Sequence, residues 1–425
     1  MFAARAGSAG LSLGTYAILS RILPPSDMGA YFLASSVVCF GAIFASHGLK
    51  DAAVRLISES MGRRAAGEIR RAVVVVLELG VCAVTLTALL YLALGHFVAL
   101  SLFHQETMAL ATGLIAIWIA MAGLQGIAAD IFRGLQDYGS SALFSGPPSL
   151  ASAGILFPLL LGLLIFSRSS TFGTVLRLAA ASSVSAVVIA AALLLPRLSR
   201  LPRQHPRTYR RMEVLNLAWP LLVSNLLIYI IGQADLWVVG IFRSQQEVAV
   251  YGAAWRLAQL VALPVAIANA VVPPMIAQLH AQGDRDQLES LLRRSATWGA
   301  VPALCTALLA FALGGPILRL VYGGFYSTGS SALTLLSVGQ VMNVSAGSSG
   351  FTLMMTGNEK TMMSISAICS LLFAAGELMA VPSFGINGAA SVAAGTMILQ
   401  NVLMLISVKK RVGIWTHARL FPVRP

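Results

Sequence analysis

Apolar residues run along this chain in stretches of about twenty, each closed by a short polar turn, which is the length a helix needs to cross a hydrocarbon core of ~30 Å. About twelve such spans can be read, over residues 3–22, 28–49, 73–95, 108–129, 142–166, 173–195, 214–239, 248–272, 297–315, 329–355, 361–381 and 387–408. The pattern breaks most sharply at Pro196–Glu213, PRLSRLPRQHPRTYRRME, with six arginines and three prolines. The expected organisation is therefore a six-helix bundle over 1–195, an Arg/Pro-rich linker over 196–213, a second six-helix bundle over 214–408 and a basic tail over 409–425. Arg5 ahead of the first apolar run has the look of a signal peptide, but no A-x-A cleavage site follows it.

Composition agrees with the pattern. The 425 residues are 57% hydrophobic and 11% charged, with a mean hydropathy of +0.81, more apolar surface than a soluble core of this length would hide. A net charge of +13 would suggest nucleic acid in a soluble chain; flanked by spans, it reads instead as the excess of Lys and Arg that marks cytoplasmic loops. Only Arg21, Arg168, Arg243 and Arg319 fall on the opposite face, with Arg177 and Arg256 inside spans. Both termini are thus expected in the cytoplasm. The stretches around Lys50–Arg71 and His280–Arg294 read as amphipathic segments lying along that surface.

The two halves look related. RILPPSDMGAYFLAS, with Tyr31, answers GIFRSQQEVAVYGAA, with Tyr251; Gly62 and the Arg70-Arg71 pair answer Gly283 and Arg293-Arg294; Gly134 answers Gly357. The nearly constant offset, and six spans per half, predict bundles related by a pseudo-two-fold axis along the membrane normal, with a cavity between them.

Charged residues within spans usually face protein or a wet cavity. Arg256 lies about 12 Å into its helix at ~1.5 Å per residue, with Gly252 and Gln259 on the same face. Its guanidinium suits a phosphate or a structural carboxylate. Arg21 and Arg177 sit towards the outer face, where snorkelling is the simpler account, and His47 is read as an interfacial side chain. Glu78, Asp130, Asp235 and Glu377 can couple transport to H+ or Na+, or serve as counter-ions; Glu377 shares a face with Ser366 and Ser370. Asn225 and Tyr229, one turn apart, suit sugar hydroxyls or glue helices together.

Enzyme chemistry has little support. No GxxxxGK[ST] or HExxH occurs, the cysteines Cys39, Cys82, Cys305 and Cys369 show no CxxC spacing, and no cofactor or metal centre is expected. Asp284-Arg285-Asp286 has the D-x-D spacing of metal-dependent glycosyltransferases, but reads as solvated charge.

The runs SRILPPSDMGAYFLASSV and HGLKDAAVRLISES, with WPLLVSNLLIYIIGQADLWVVGIF and VAVYGAAWRLAQLVALPVAIANAVVPPMIAQL, resemble the polysaccharide biosynthesis or O-antigen (Wzx-type) flippases of the multidrug/oligosaccharidyl-lipid/polysaccharide superfamily. The resemblance spans essentially the whole chain and includes Asp235, Tyr251 and Arg256. It implies an all-α, MATE-like membrane fold and alternating access. It also implies a cargo of undecaprenyl-pyrophosphate-linked oligosaccharide, destined for O-antigen lipopolysaccharide, capsule or exopolysaccharide, in the bacterial inner membrane. The pyrophosphate would be held by Arg21 and Arg256, and the sugars by the polar cavity of Asn225, Tyr229 and Gln259. Asp235, Glu377 and Glu78 would serve the coupling ion. Membrane lipids and polysaccharide assembly proteins are the implied partners. Relatives commonly carry a longer basic segment ahead of the first helix, where this sequence has about two residues by the spanning criterion. The competing readings are a multidrug/cation antiporter of the same fold, a membrane glycosyltransferase using Asp284 and Asp286, and a scaffold for glycan assembly.

Overall fold

The computed structural model describes residues 2–46, helical positions at 49, 53, 54, 56, 57 and 60, and residues 66–146, 149–166, 170–202 and 211–419. Every regular element among them is helical. The helices are α1 (Phe2–Ile22), α2 (Pro25–Ala45), α3 (Ala66–Phe97), α4 (Glu106–Leu110), α5 (Thr112–Gly134), α6 (Tyr138–Phe144), α7 (Leu150–Phe166), α8 (Phe172–Ser199), α9 (Arg211–Phe242), α10 (Gln245–Val261), α11 (Leu263–Ala281), α12 (Arg285–Tyr322), α13 (Ser330–Ala346), α14 (Ser349–Met355) and α15 (Glu359–Val412). The chain divides into two compact units, Met1–Gln233 and Ala234–Pro425.

Local chemistry sets many of the helix ends. Pro25 opens α2 at a position where its missing N–H is no loss. Ser244 and Glu247 form a reciprocal capping box at the start of α10. Arg21, in the last turn of α1, complements the negative end of the helix dipole.

Six helical stretches among the described residues are long and apolar enough to cross a membrane by length and composition alone. Three of the expected spans are missing from that set for a physical reason. Residues 359–412 form one 54-residue run, yet Gly385 (φ 58°) bends it, and this kink falls between the spans expected at 361–381 and 387–408. Only glycine enters that backbone region without penalty. The span expected at 248–272 is divided at Ala262 between α10 and α11, and the one at 329–355 at Gly347 between α13 and α14. Each piece is then shorter than a full crossing.

The Arg/Pro-rich stretch read as a linker over 196–213 is partly helical. Helix α8 continues through Pro196 to Ser199, and α9 begins at Arg211. Arg197 gives a reason for the extension: its guanidinium pairs with Asp137 and lies over the Phe132 ring, 5.2 Å from its centre. The first unit's core includes Ile57, Val73, Val76, Ile127, Ile131, Phe132, Phe144 and Leu198, and Val214 at the start of α9 belongs to it. That packing places the early turns of α9 with the first unit. Of the basic residues assigned to loops, Lys50, Arg55, Arg63, Arg64, Arg168, Arg203, Arg207, Arg210 and Arg424 lie outside the described residues, as does His47.

Candidate functional site

The polar interior of the second unit is built by a helical hairpin and one facing helix. Helices α9 and α10 meet at the tight turn Arg243-Ser244. Asp235 lies eight residues before Arg243 and Tyr251 seven after Ser244, so an antiparallel pair brings them nearly level. The Tyr251 hydroxyl donates to Asp235 Oδ2 at 2.7 Å, and the Leu236 amide donates to Oδ1 at 2.8 Å. Tyr251 is wholly buried and Asp235 is 4% exposed.

Glu377, on α15, completes the group. Its side chain is 0% exposed, and neither carboxylate oxygen has a hydrogen-bond partner. It interacts electrostatically with both Asp235 and Tyr251. Two buried carboxylates thus interact with each other and with one phenolic donor. A buried charge without a partner costs several kcal/mol, on the order of the penalty for taking an ion out of water. The arrangement can lower that cost by taking up a proton or a small cation. The polar stripe expected beside Glu377 turns towards the end of the same helix: Ser366 accepts from Gln400 at 3.2 Å, and Ser370 donates to the Ser366 carbonyl at 2.6 Å.

Arg256 is half-buried on α10, and its guanidinium donates to the Gly252 carbonyl one turn back at 3.1 Å. Gln259 is half-buried on the same helix. Arg21 is exposed at the end of α1, in the first unit. Arg177 is exposed and bonds Thr174 and the Gly173 carbonyl, as a snorkelling side chain does.

Tyr229 is already engaged. Its hydroxyl donates to the Ser36 carbonyl at 2.8 Å, and its ring lies 6.3 Å from that of Phe40, so it ties α9 to α2. The Asn225 side chain lies outside the described residues. Glu78 is exposed on α3, beside a cavity of about 520 Å³ that is also lined by Leu77, Leu79, Val81 and Cys82. Asp130 is buried and approaches Arg133 at 2.9 Å as an ion-pair contact without hydrogen-bond alignment.

The role of Tyr251 was not legible from its residue type. The signal that would have found it is positional: a tyrosine nearly as far beyond a tight turn as an aspartate lies before it. Among the described residues no three His, Cys, Asp or Glu side chains gather into a metal cage.

Comparison with known proteins places this geometry. Residues 220–377 match the MatE family. Across 419 residues the chain is 23% identical to a probable low-salt glycan biosynthesis flippase, Agl15, of Haloferax volcanii, covering 95% of this chain and 81% of that protein. An inward-facing multidrug resistance MATE family transporter of the MOP superfamily superposes with a TM-score of 0.77 at 14% identity, covering 95% of this chain and 94% of the other. The lipid II flippase MurJ, in an inward closed conformation, gives 0.73 at 18% identity, covering 96% and 87%. Both structures share the fold, so the chain is an all-helical membrane protein with a MATE/MurJ-like architecture. Residues 1–280, well over half of its length, match the polysaccharide biosynthesis protein family, and the chain belongs to that family.

Proposed function

We propose that the protein is a transporter rather than an enzyme, a flippase that moves undecaprenyl-pyrophosphate-linked oligosaccharide repeat units across the bacterial inner membrane. Its cargo would feed O-antigen, capsule or exopolysaccharide assembly. On this reading the chain crosses the membrane twelve times, six per half, with both termini in the cytoplasm, and works by alternating access. Family membership and the likeness to a relative named as a glycan biosynthesis flippase support it. In the second unit Arg256 is the proposed pyrophosphate contact and Gln259 the sugar contact; in the first unit the corresponding candidates are Arg21 and Asn225. Tyr229, its hydroxyl already donated, contributes its ring and position.

The observation that carries the mechanism is Glu377, wholly buried with neither oxygen partnered, beside the hydrogen-bonded Asp235. A proton or Na+ arriving there supplies the missing partner, so loading the cation and stabilising one conformation are the same event. Glu78, being exposed, is a weaker candidate for that role.

The test is leaflet accessibility of a fluorescent undecaprenyl-pyrophosphate oligosaccharide in proteoliposomes under an imposed proton or sodium gradient. The native chain is expected to translocate it, and Arg256→Ala at matched reconstitution to lose at least about tenfold of the rate, the worth of one charge-assisted phosphate contact. The rival reading, a multidrug/cation antiporter, draws on the superposition with a MATE transporter and the MatE match. Gradient-driven efflux of ethidium from the same vesicles, with no movement of the lipid-linked glycan, would establish the rival.

A further inference from the structure

Beyond α15, residues 413–419 fold back onto the protein. Gly413 (φ 88°) turns the chain, and Ile414, 2% exposed, enters the core formed by Leu288, Leu292, Leu353, Val408 and Val412. The Trp415 amide donates to Glu289 Oε2 at 3.2 Å, and the Arg419 amide donates to Thr297 Oγ1 at 2.9 Å. The Arg419 guanidinium lies 3.7 Å from Glu289, which Arg293 also holds at 3.1 Å. Seven residues, 413–419, are thereby fastened to α12.

The strap also reaches a second place. Helix α13 ends at Ala346 because Gly347 takes φ +69°, and α14 resumes at Ser349. The carbonyls of Ser345 and Ala346 then lack the donors that a continuing helix would supply four residues on. The strap provides them: the Ala418 amide donates to the Ser345 carbonyl at 2.8 Å, and the fully buried Thr416 hydroxyl donates to the Ala346 carbonyl at 2.8 Å. There is no spare room at the junction. A Cβ on Gly347 would sit 2.7 Å from the Thr416 carbonyl oxygen and 3.0 Å from the Ala296 Cβ. On the far side of the break, Ser348 donates to Asn269 on α11 at 2.7 Å.

An unpaired carbonyl within a membrane helix is expensive, and a break survives only where something else satisfies the freed groups. We propose that residues 413–419 are a docked strap that stands in for the missing helical turn, fixes the break at Gly347, and must stay docked for transport, with Thr416 and the Ala418 amide as its positioning groups. The break is the element with two available forms. With the strap in place the bent form is complete; without it, the exposed carbonyls favour either a rewound helix or a hydrated gap. The inference does not depend on what the protein carries.

The experiment is hydrogen exchange of the purified full chain, followed on peptides covering 341–356 and 413–419, together with flipping of the fluorescent undecaprenyl-pyrophosphate oligosaccharide. The variants are Thr416→Val, which keeps the shape and removes the donor, Thr416→Ser, which restores it, and Ala418→Pro, which removes the amide. Thr416→Val and Ala418→Pro are expected to speed exchange in both peptides about tenfold, the effect of one hydrogen bond on local opening, and to slow flipping by a similar factor. Thr416→Ser should return both to native values. Native exchange and native flipping in Thr416→Val and Ala418→Pro would overturn the proposal, and so would faster exchange with native flipping, because the strap would then be dispensable for transport. If the native chain fails to flip this probe, the cargo assignment falls, and the exchange measurement alone decides whether the strap holds the break. Truncation after Val412 extends the test where that chain still folds.

Discussion

Two buried polar groups, one in each unit, are built in opposite ways. In the first, Gln125 donates to the Ser183 carbonyl at 3.0 Å and accepts from Ser149 at 2.6 Å, while Ser149 and Ser152 bond each other at 3.0 Å. All of these side chains are buried, and none carries charge. In the second unit, Asp235 is held by Tyr251 while Glu377 stands close by with both oxygens unpartnered. A complete network needs nothing further and fastens helices together. An incomplete one is stable only with an added partner, and that difference separates glue from a site.

The substitution with the largest expected effect tests the incomplete network. Glu377→Gln keeps the shape and removes the ionisable group. Gradient-driven flipping should fall at least about a hundredfold, as for loss of an obligatory charge carrier inside a membrane. The melting temperature should hold steady or rise, since a neutral amide costs less to bury than an unpartnered carboxylate. A gradient-dependent rate close to native would show that Glu377 is only a packed side chain.

Next comes Tyr251→Phe, which removes the hydroxyl while keeping the ring. Asp235 would lose its only donor from another helix among the bonds described, a loss of about 1 to 2 kcal/mol for an interhelical hydrogen bond in a membrane protein. The change should appear as a lower melting temperature in detergent together with altered dependence of flipping on the driving cation. The mirror experiment in the first unit is Gln125→Leu. It should cost about 1 kcal/mol by the same measure, yet leave flipping per folded molecule unchanged. If Gln125→Leu altered the cation dependence as well, the division between glue and site would fail.

How much of this was visible in the chain follows from the same contrast. Helical spans announce themselves because each must be apolar along its length, and the six stretches long and apolar enough to cross a membrane all overlap expected spans. The bend at Gly385 falls between the spans expected at 361–381 and 387–408, but the breaks at Ala262 and Gly347 could not be read, because alanine and glycine also occur inside continuous helices and only the surrounding packing selects their conformation. Asp235 and Glu377 stood out as carboxylates in apolar surroundings, although nothing in their spacing, far apart in sequence, joined them. Tyr229 and Asn225 had the right chemistry for sugars, but a hydroxyl's partner is set by whichever helix packs against it, and for Tyr229 that is α2. The strap escaped notice because Ile414 and Thr416 follow three basic residues, Lys409, Lys410 and Arg411, which read as the start of a solvated tail.

The smallest expected effect lies outside the membrane spans, and it shows what a charge is worth when water can reach it. Asp137 caps α6 by accepting from the Ser140 amide at 3.1 Å, and it pairs with Arg197. Slight burial pushes its carboxyl up, but the bonds from Ser140 and the Arg197 guanidinium outweigh that and hold it below the usual carboxylate range. A carboxyl lowered in the folded state contributes stability that is fully present above the ordinary carboxylate value and is lost as pH falls through the lowered one. The melting temperature of the native chain should therefore carry a small acid-side decline from this group, screened by solvent to within about 1 kcal/mol. Asp137→Asn keeps a good cap and removes the charge, so it should flatten that part of the decline while leaving neutral-pH stability and flipping nearly untouched. Added salt should shrink the difference between the two chains, because an exposed pair is screened. A large loss of flipping in Asp137→Asn would instead place this rim pair in the transport cycle, and the contrast between a working interior and a merely stabilising periphery would have to be redrawn.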